Sequence, residues 1–181
     1  IKMFFLCMLE SLGMAMATYS GQNYGAGKPE RIWQGVKSAI KMVFVYCIFV
    51  NLILWNFSED ITMLFIDASE VEVLKDAAQF LHVSASFFIV LGLLCVFRYT
   101  IQGAGYTQLS MFSGVAEMIA RTLVSLFVVP VFGFWGICFG DPIAWICAMM
   151  FLVPAFRYVY RRLLDIVAKE RAGQMPDASP A

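Results

Sequence analysis

The sequence predicts an all-α integral membrane protein with five transmembrane helices, and three observations carry that prediction. Of 181 residues, 61% are hydrophobic and 14% charged, against about half and about a quarter in an average soluble domain. The apolar residues gather in runs near the roughly 20 residues that a bilayer-crossing helix needs. Short turns punctuated by glycine and proline separate the runs. The 13 basic and 13 acidic residues cancel, so no overall basic field exists to hold a nucleic acid.

Taken in order, the first span covers about residues 2–24. Its small residues Gly13, Ala15, Ala17, Ser20 and Gly21 suit close helix approach in lipid. Ile1 stands where an initiating Met would, and no signal-peptide pattern follows it, so the chain is expected to be a fragment. A polar turn rich in glycine leads to a second span at about 39–57, with Lys37 and Lys41 at its entrance and Trp55 near its exit as interfacial anchors. From Ser58 to Asp76 the chain is acidic, with Lys75 as its one basic residue, around a short apolar patch from Ile61 to Ile66. It reads as an exposed connection with an interfacial helical turn.

The third span, about 77–97, is closed by Arg98; the fourth, about 109–129, is ended by Pro130 and Gly133; the fifth runs over about 135–156. Residues 1–157 thus form the membrane bundle. Residues 158–171 read as a basic amphipathic helix suited to an anionic membrane surface, and 172–181 as a disordered tail. Most Lys and Arg residues fall beside the first turn, at Arg98, or beyond Arg157. Because basic residues stay on the cytoplasmic side of short loops, the expected arrangement is a multi-pass protein of the inner (plasma) membrane. Its acidic connection is outside and its C-terminus cytoplasmic.

Little enzymatic chemistry is available. Cys7, Cys47, Cys95, Cys138 and Cys147 lie singly in apolar runs and read as packing residues. His82 is the only histidine, which excludes multi-histidine metal sites; on the acidic side of its span it reads as an interfacial residue or a pH sensor. No phosphate-cradling loop or dinucleotide fingerprint occurs. Neither an enzyme nor a bound cofactor or metal is expected.

One motif is specific. The run Gly21-Gln22-Asn23-Tyr24-Gly25-Ala26-Gly27 follows a membrane span, Gln102-Gly103-Ala104-Gly105 follows the next but one, and Gly133-Phe134-Trp135-Gly136-Ile137 precedes the last. This order, with Gly114 to Arg121 between, resembles the multidrug and toxic compound extrusion (MATE) transporters from about Leu9 to Arg157. The resemblance implies a twelve-helix transporter of two six-helix lobes, with this chain forming most of the C-terminal lobe, about helices eight to twelve. It further implies export of organic cations or other amphipathic small molecules by alternating access, through a cavity between the lobes, driven by proton or sodium antiport. The partners so implied are the substrate, the coupling ion, the bilayer and the N-terminal lobe. Some sodium-coupled members carry an acid just after the tenth-helix glycine motif, where this chain has Tyr106-Thr107-Gln108; others use the first or seventh helix. The coupling ion therefore stays open.

A charge at a helix centre costs about 2.5–3.5 kcal/mol on insertion scales, so each one inside a span marks a candidate for the substrate or ion path. Four qualify: Glu10 in the first span, Glu117 and Arg121 in the fourth, and Asp141 in the fifth. Glu117 and Arg121, four apart on one helical face, form either a structural clamp or a cavity-lining pair. Glu10 has no cation within four positions and could relay a proton or attract a lipophilic cation. Asp141, before Pro142, could instead satisfy backbone groups freed by the proline. Gln22, Asn23 and Gln102 stand at helix ends, where loose carbonyls explain them. Two other functions stay open: a lipid-linked sugar flippase of related architecture, which would want a strongly basic cavity, and a non-transporting membrane scaffold.

Overall fold

The computed structural model describes residues 2–64 and 71–173. The described residues are helices joined by short turns, in the order α1 (Lys2–Gly25), α2 (Pro29–Met63), α3 (Val71–Ser86), α4 (Phe88–Gly103), α5 (Thr107–Leu123), α6 (Val129–Phe132) and α7 (Phe134–Arg171). Four of these stretches are long and apolar enough to cross a membrane, and a fifth joins them when α3 and α4 count as one bent span. The chain is an all-α integral membrane protein. Residues 65–70 of the acidic connection and 174–181 of the expected tail lie outside the described residues.

The seam between α1 and α4 follows from residue size. Gly13, Ala17 and Gly21 recur every fourth residue and so share one face of α1. A Cβ at Gly103 would come 2.1 Å from the Ala17 carbonyl oxygen, and one at Gly13 would fall 2.4 Å from the Tyr99 ring. Van der Waals contact between backbones, unreachable for larger residues, replaces the hydrophobic drive that lipid removes.

Pro29 opens α2 at its first turn, where its missing N–H costs nothing. The helix begins about ten residues before the apolar run, because Lys37 and Lys41 are carried on helix rather than on loop. Its inner stripe, Ile32, Val36, Ala39, Val43, Cys47, Val50 and Leu54, is buried, while Val45, Ile48, Phe49 and Leu52 are exposed. That alternation at helical spacing gives one face to the bundle and one to lipid. Phe57 leaves helical geometry (φ −127°, ψ 15°) and kinks α2 near its end.

The third span is not one helix. The axes of α3 and α4 differ by 49° across Phe87. A break inside lipid frees backbone carbonyls that must find partners, and Asn51 of α2 supplies one: its Nδ2 donates to the Ala85 carbonyl at 3.0 Å and to Cys47 at 2.9 Å. His82, just before the break, donates through Nε2 to the Leu54 carbonyl at 3.0 Å and stacks on Trp55.

After α5 the helix widens into a π-helical turn, Val124–Val128, just before Pro130, and Gly133 (φ 55°, ψ −128°) takes a conformation closed to other residues and reverses the chain. From sequence, 158–171 stands apart from the fifth span; in the structure both belong to α7, which continues through Pro142 and Pro154. Val159, Leu163 and Val167 are buried along that extension, so it packs on the bundle.

Candidate functional site

Helical spacing aims four stripes of side chains into one cavity of about 340 Å³. From α1 come Lys2, Leu6 and Glu10; from α4, Leu91, Cys95 and Arg98; from α5, Glu117 and Arg121; from α7, Asp141 and Trp145. Within each stripe the residues are three or four apart, hence on one face. The four candidates named from sequence converge here, joined by Lys2 and Arg98.

Five of the six charges form a connected chain of ion pairs. Arg98 of α4 hydrogen-bonds Glu117 of α5, and Arg121 holds the other Glu117 oxygen at 3.4 Å. Arg121 Nε also donates to Asp141 Oδ1 at 3.0 Å, and Lys2 of α1 pairs with the second Asp141 oxygen. Each acid is thus shared by two cations, and Arg121 bridges both acids. The Asp141 carboxylate is occupied by side chains rather than by backbone groups freed at Pro142.

Further contacts fix the ends of this chain. Arg98 Nε donates to Ser113 Oγ at 3.1 Å, and Ser113 in turn donates to the Ser110 carbonyl at 2.7 Å. The Lys2 ammonium sits 5.1 Å from the Phe80 ring centre and 5.4 Å from that of Trp145, within cation–π range. The Glu117 side chain is 10% exposed, so its pairing replaces the water that it lacks.

Glu10 is the exception. It faces the same cavity and is exposed, yet among the described residues it makes no ion pair or hydrogen bond. The five paired charges carry three positive and two negative ends, so Glu10 is the acid that brings the cavity to neutrality.

Sequence reasoning missed Arg98 and Lys2. From sequence, Arg98 closes the third span, but the glycine turn Gly103 to Gly105 sets the true end of α4, which leaves Arg98 more than a turn inside. Its position before that turn was the available signal. Lys2 carried none, because its partner Asp141 is 139 residues away.

The motif residues do backbone work. The Gln22 and Asn23 carbonyls accept from Ala26 and Lys28, and the Asn23 side chain donates to the Tyr19 carbonyl at 2.8 Å. The Gln102 carbonyl accepts from Gly105. Gly21 and Gly103 meet at the seam, while a Cβ at Gly25 would meet nothing within 4 Å. Among the described residues, no group of three His, Cys, Asp or Glu is placed to hold a metal ion.

No curated protein and no solved structure matches the chain. The MatE family model matches residues 1–127, which hold the first two glycine motifs, the α1–α4 seam and three of the four stripes lining the cavity. The chain therefore belongs to the MatE family of multi-pass membrane transporters.

Proposed function

We propose that the chain forms most of one lobe of a cation-coupled multidrug exporter working by alternating access, with proton or sodium entry driving the exit of organic cations. The observation that carries this reading is the unpaired Glu10 beside a connected set of five paired charges in one cavity. An unpaired acid in lipid is costly when charged. A proton, a metal cation or a cationic substrate relieves that cost, and each excludes the others while bound. Competition for one carboxylate is what antiport requires. The shared acids offer a second lever: loss of charge at Glu117 or Asp141 would release Arg121 to the other.

The basic residues near the turn before α2 and beyond Arg157 support a plasma-membrane orientation with a cytoplasmic C-terminus. A lipid-linked sugar flippase fits less well, because the three cations in the cavity are balanced by three acids and leave no net positive field for a pyrophosphate. A scaffold would have no use for an unpaired intramembrane acid. The test is efflux of a fluorescent organic cation from vesicles containing the intact protein with Glu10→Gln or Glu117→Gln, at matched amounts of folded protein. Each variant is expected to lose at least about 90% of the rate, in line with removal of a charge that acts in the reaction; full activity in both would remove these acids from the mechanism.

A further inference from the structure

A second cavity, also about 340 Å³, opens between α2, α4 and α7, away from the charged one. Its wall is aromatic. Trp33 stacks on Phe156 at 5.7 Å, Phe156 on Tyr160 at 6.0 Å, and Phe97 tilts against Phe156 at 5.0 Å. Its rim is cationic: Arg157 and Arg161, one helical turn apart and both exposed, border it. Lys37 lies over the Trp33 ring at 5.5 Å. Among the described residues neither arginine makes an ion pair or hydrogen bond, although Asp165 stands one turn beyond Arg161 and Glu30 lies beside Tyr160.

The turns fix which end of the bundle holds this cavity. The chain reverses at Gly27 and at Gly105, and Arg162 lies over Tyr106 at 5.8 Å, so Arg157 and Arg161 lie toward the end of the bundle that carries those turns. Apolar walls beside paired cations at that end match a molecule with an apolar stem and an anionic head. Arginine offers a planar fork that binds phosphate oxygens two at a time.

We propose that this cavity binds the headgroup of an anionic phospholipid, its phosphate held by Arg157 and Arg161 and its glycerol and upper acyl chain lying on Trp33 and Tyr160. The lipid would join α2 to α7. It is independent of the transport reading, since none of its residues lines the charged cavity.

Native mass spectrometry of the intact protein in an uncharged detergent tests it, with dioleoyl phosphatidylglycerol, dioleoyl phosphatidylcholine and inorganic phosphate as probes. Phosphatidylglycerol is expected to bind, and Arg157→Ala or Arg161→Ala to weaken it by about fivefold each, the worth of one basic residue at an anionic lipid. Trp33→Leu should weaken it as well, with the arginines intact. Lys169→Ala, which removes a charge from the same helix outside the cavity, should change nothing. Equal binding of phosphatidylcholine, or equal weakening by Lys169→Ala, would overturn the proposal; displacement of the lipid by equimolar inorganic phosphate would overturn it in favour of a free-phosphate site.

Discussion

Helix α4 takes part in two contacts that solve the same problem in opposite ways. Against α1 it presents Gly103 and Tyr99 to Ala17 and Gly13, and the backbones touch. Against α5 it presents Arg98 to Glu117, and the helices are joined through long charged side chains. The first contact is tight, because backbone packed on backbone at Gly103 and a ring packed on backbone at Gly13 cannot slide without clashing. The second is shared rather than single: Glu117 holds both Arg98 and Arg121, and Arg121 also reaches Asp141 of α7, which in turn holds Lys2. If the lobes rock as proposed above, the seam suits the part that moves as a body and the charges suit the part that changes state.

Substitution of the seam should give the largest effect. Gly103→Leu would drive a side chain into the Ala17 backbone, which has no room to yield; overpacking costs up to about 3 kcal/mol or more. Nearly all folded protein should be lost, as read from the monodisperse fraction after detergent extraction. A folded Gly103→Leu protein would mean that the seam is not rigid.

Removal of Glu117 should come next. Glu117→Gln leaves Arg98 and Arg121 without their shared acid and should destabilise by about 3 kcal/mol, the lower end for breaking a buried pair, measured as a fall in melting temperature. The double variant Arg98→Met with Glu117→Leu sharpens the contrast. Apolar replacement of a whole pair is often neutral, so stability should return to within about 1 kcal/mol while transport stays lost. Recovery of both would reduce the pair to a clamp.

Smaller effects are expected away from both contacts. Asn51→Ala would leave the Ala85 carbonyl unpaired at the α3–α4 break and should cost about 1–2 kcal/mol, with faster amide exchange around Phe87. Gly25→Ala should change stability by only a few tenths of a kcal/mol, as its Cβ would meet open space; a larger loss would show that the motif glycine does something its surroundings do not reveal.

Legibility in the sequence divided along similar lines. The apolar runs and the capacity for close approach could be read because they are local: hydrophobic stretches announce helices, and Gly13, Ala15, Ala17, Ser20 and Gly21 announce small size in α1. The Glu117–Arg121 pair, four residues apart, was readable for the same reason. The break at Phe87 was not, since neither glycine nor proline marks it and the group that satisfies it, Asn51, lies on another helix. The pairing of Arg98 with Glu117 and of Lys2 with Asp141 depends on how helices distant in sequence face one another, which periodicity does not encode.

Ion dependence of the Glu10→Gln protein is the decisive quantity. In vesicles holding the intact protein, efflux of a fluorescent organic cation is recorded with and without an imposed proton or sodium gradient. If Glu10 is the carboxylate for which ion and substrate compete, the gradient should accelerate efflux by the unaltered protein and leave that by Glu10→Gln unchanged, even where residual movement persists. A Glu10→Gln protein that responds to the gradient as the unaltered one does would contradict this and move coupling to another group.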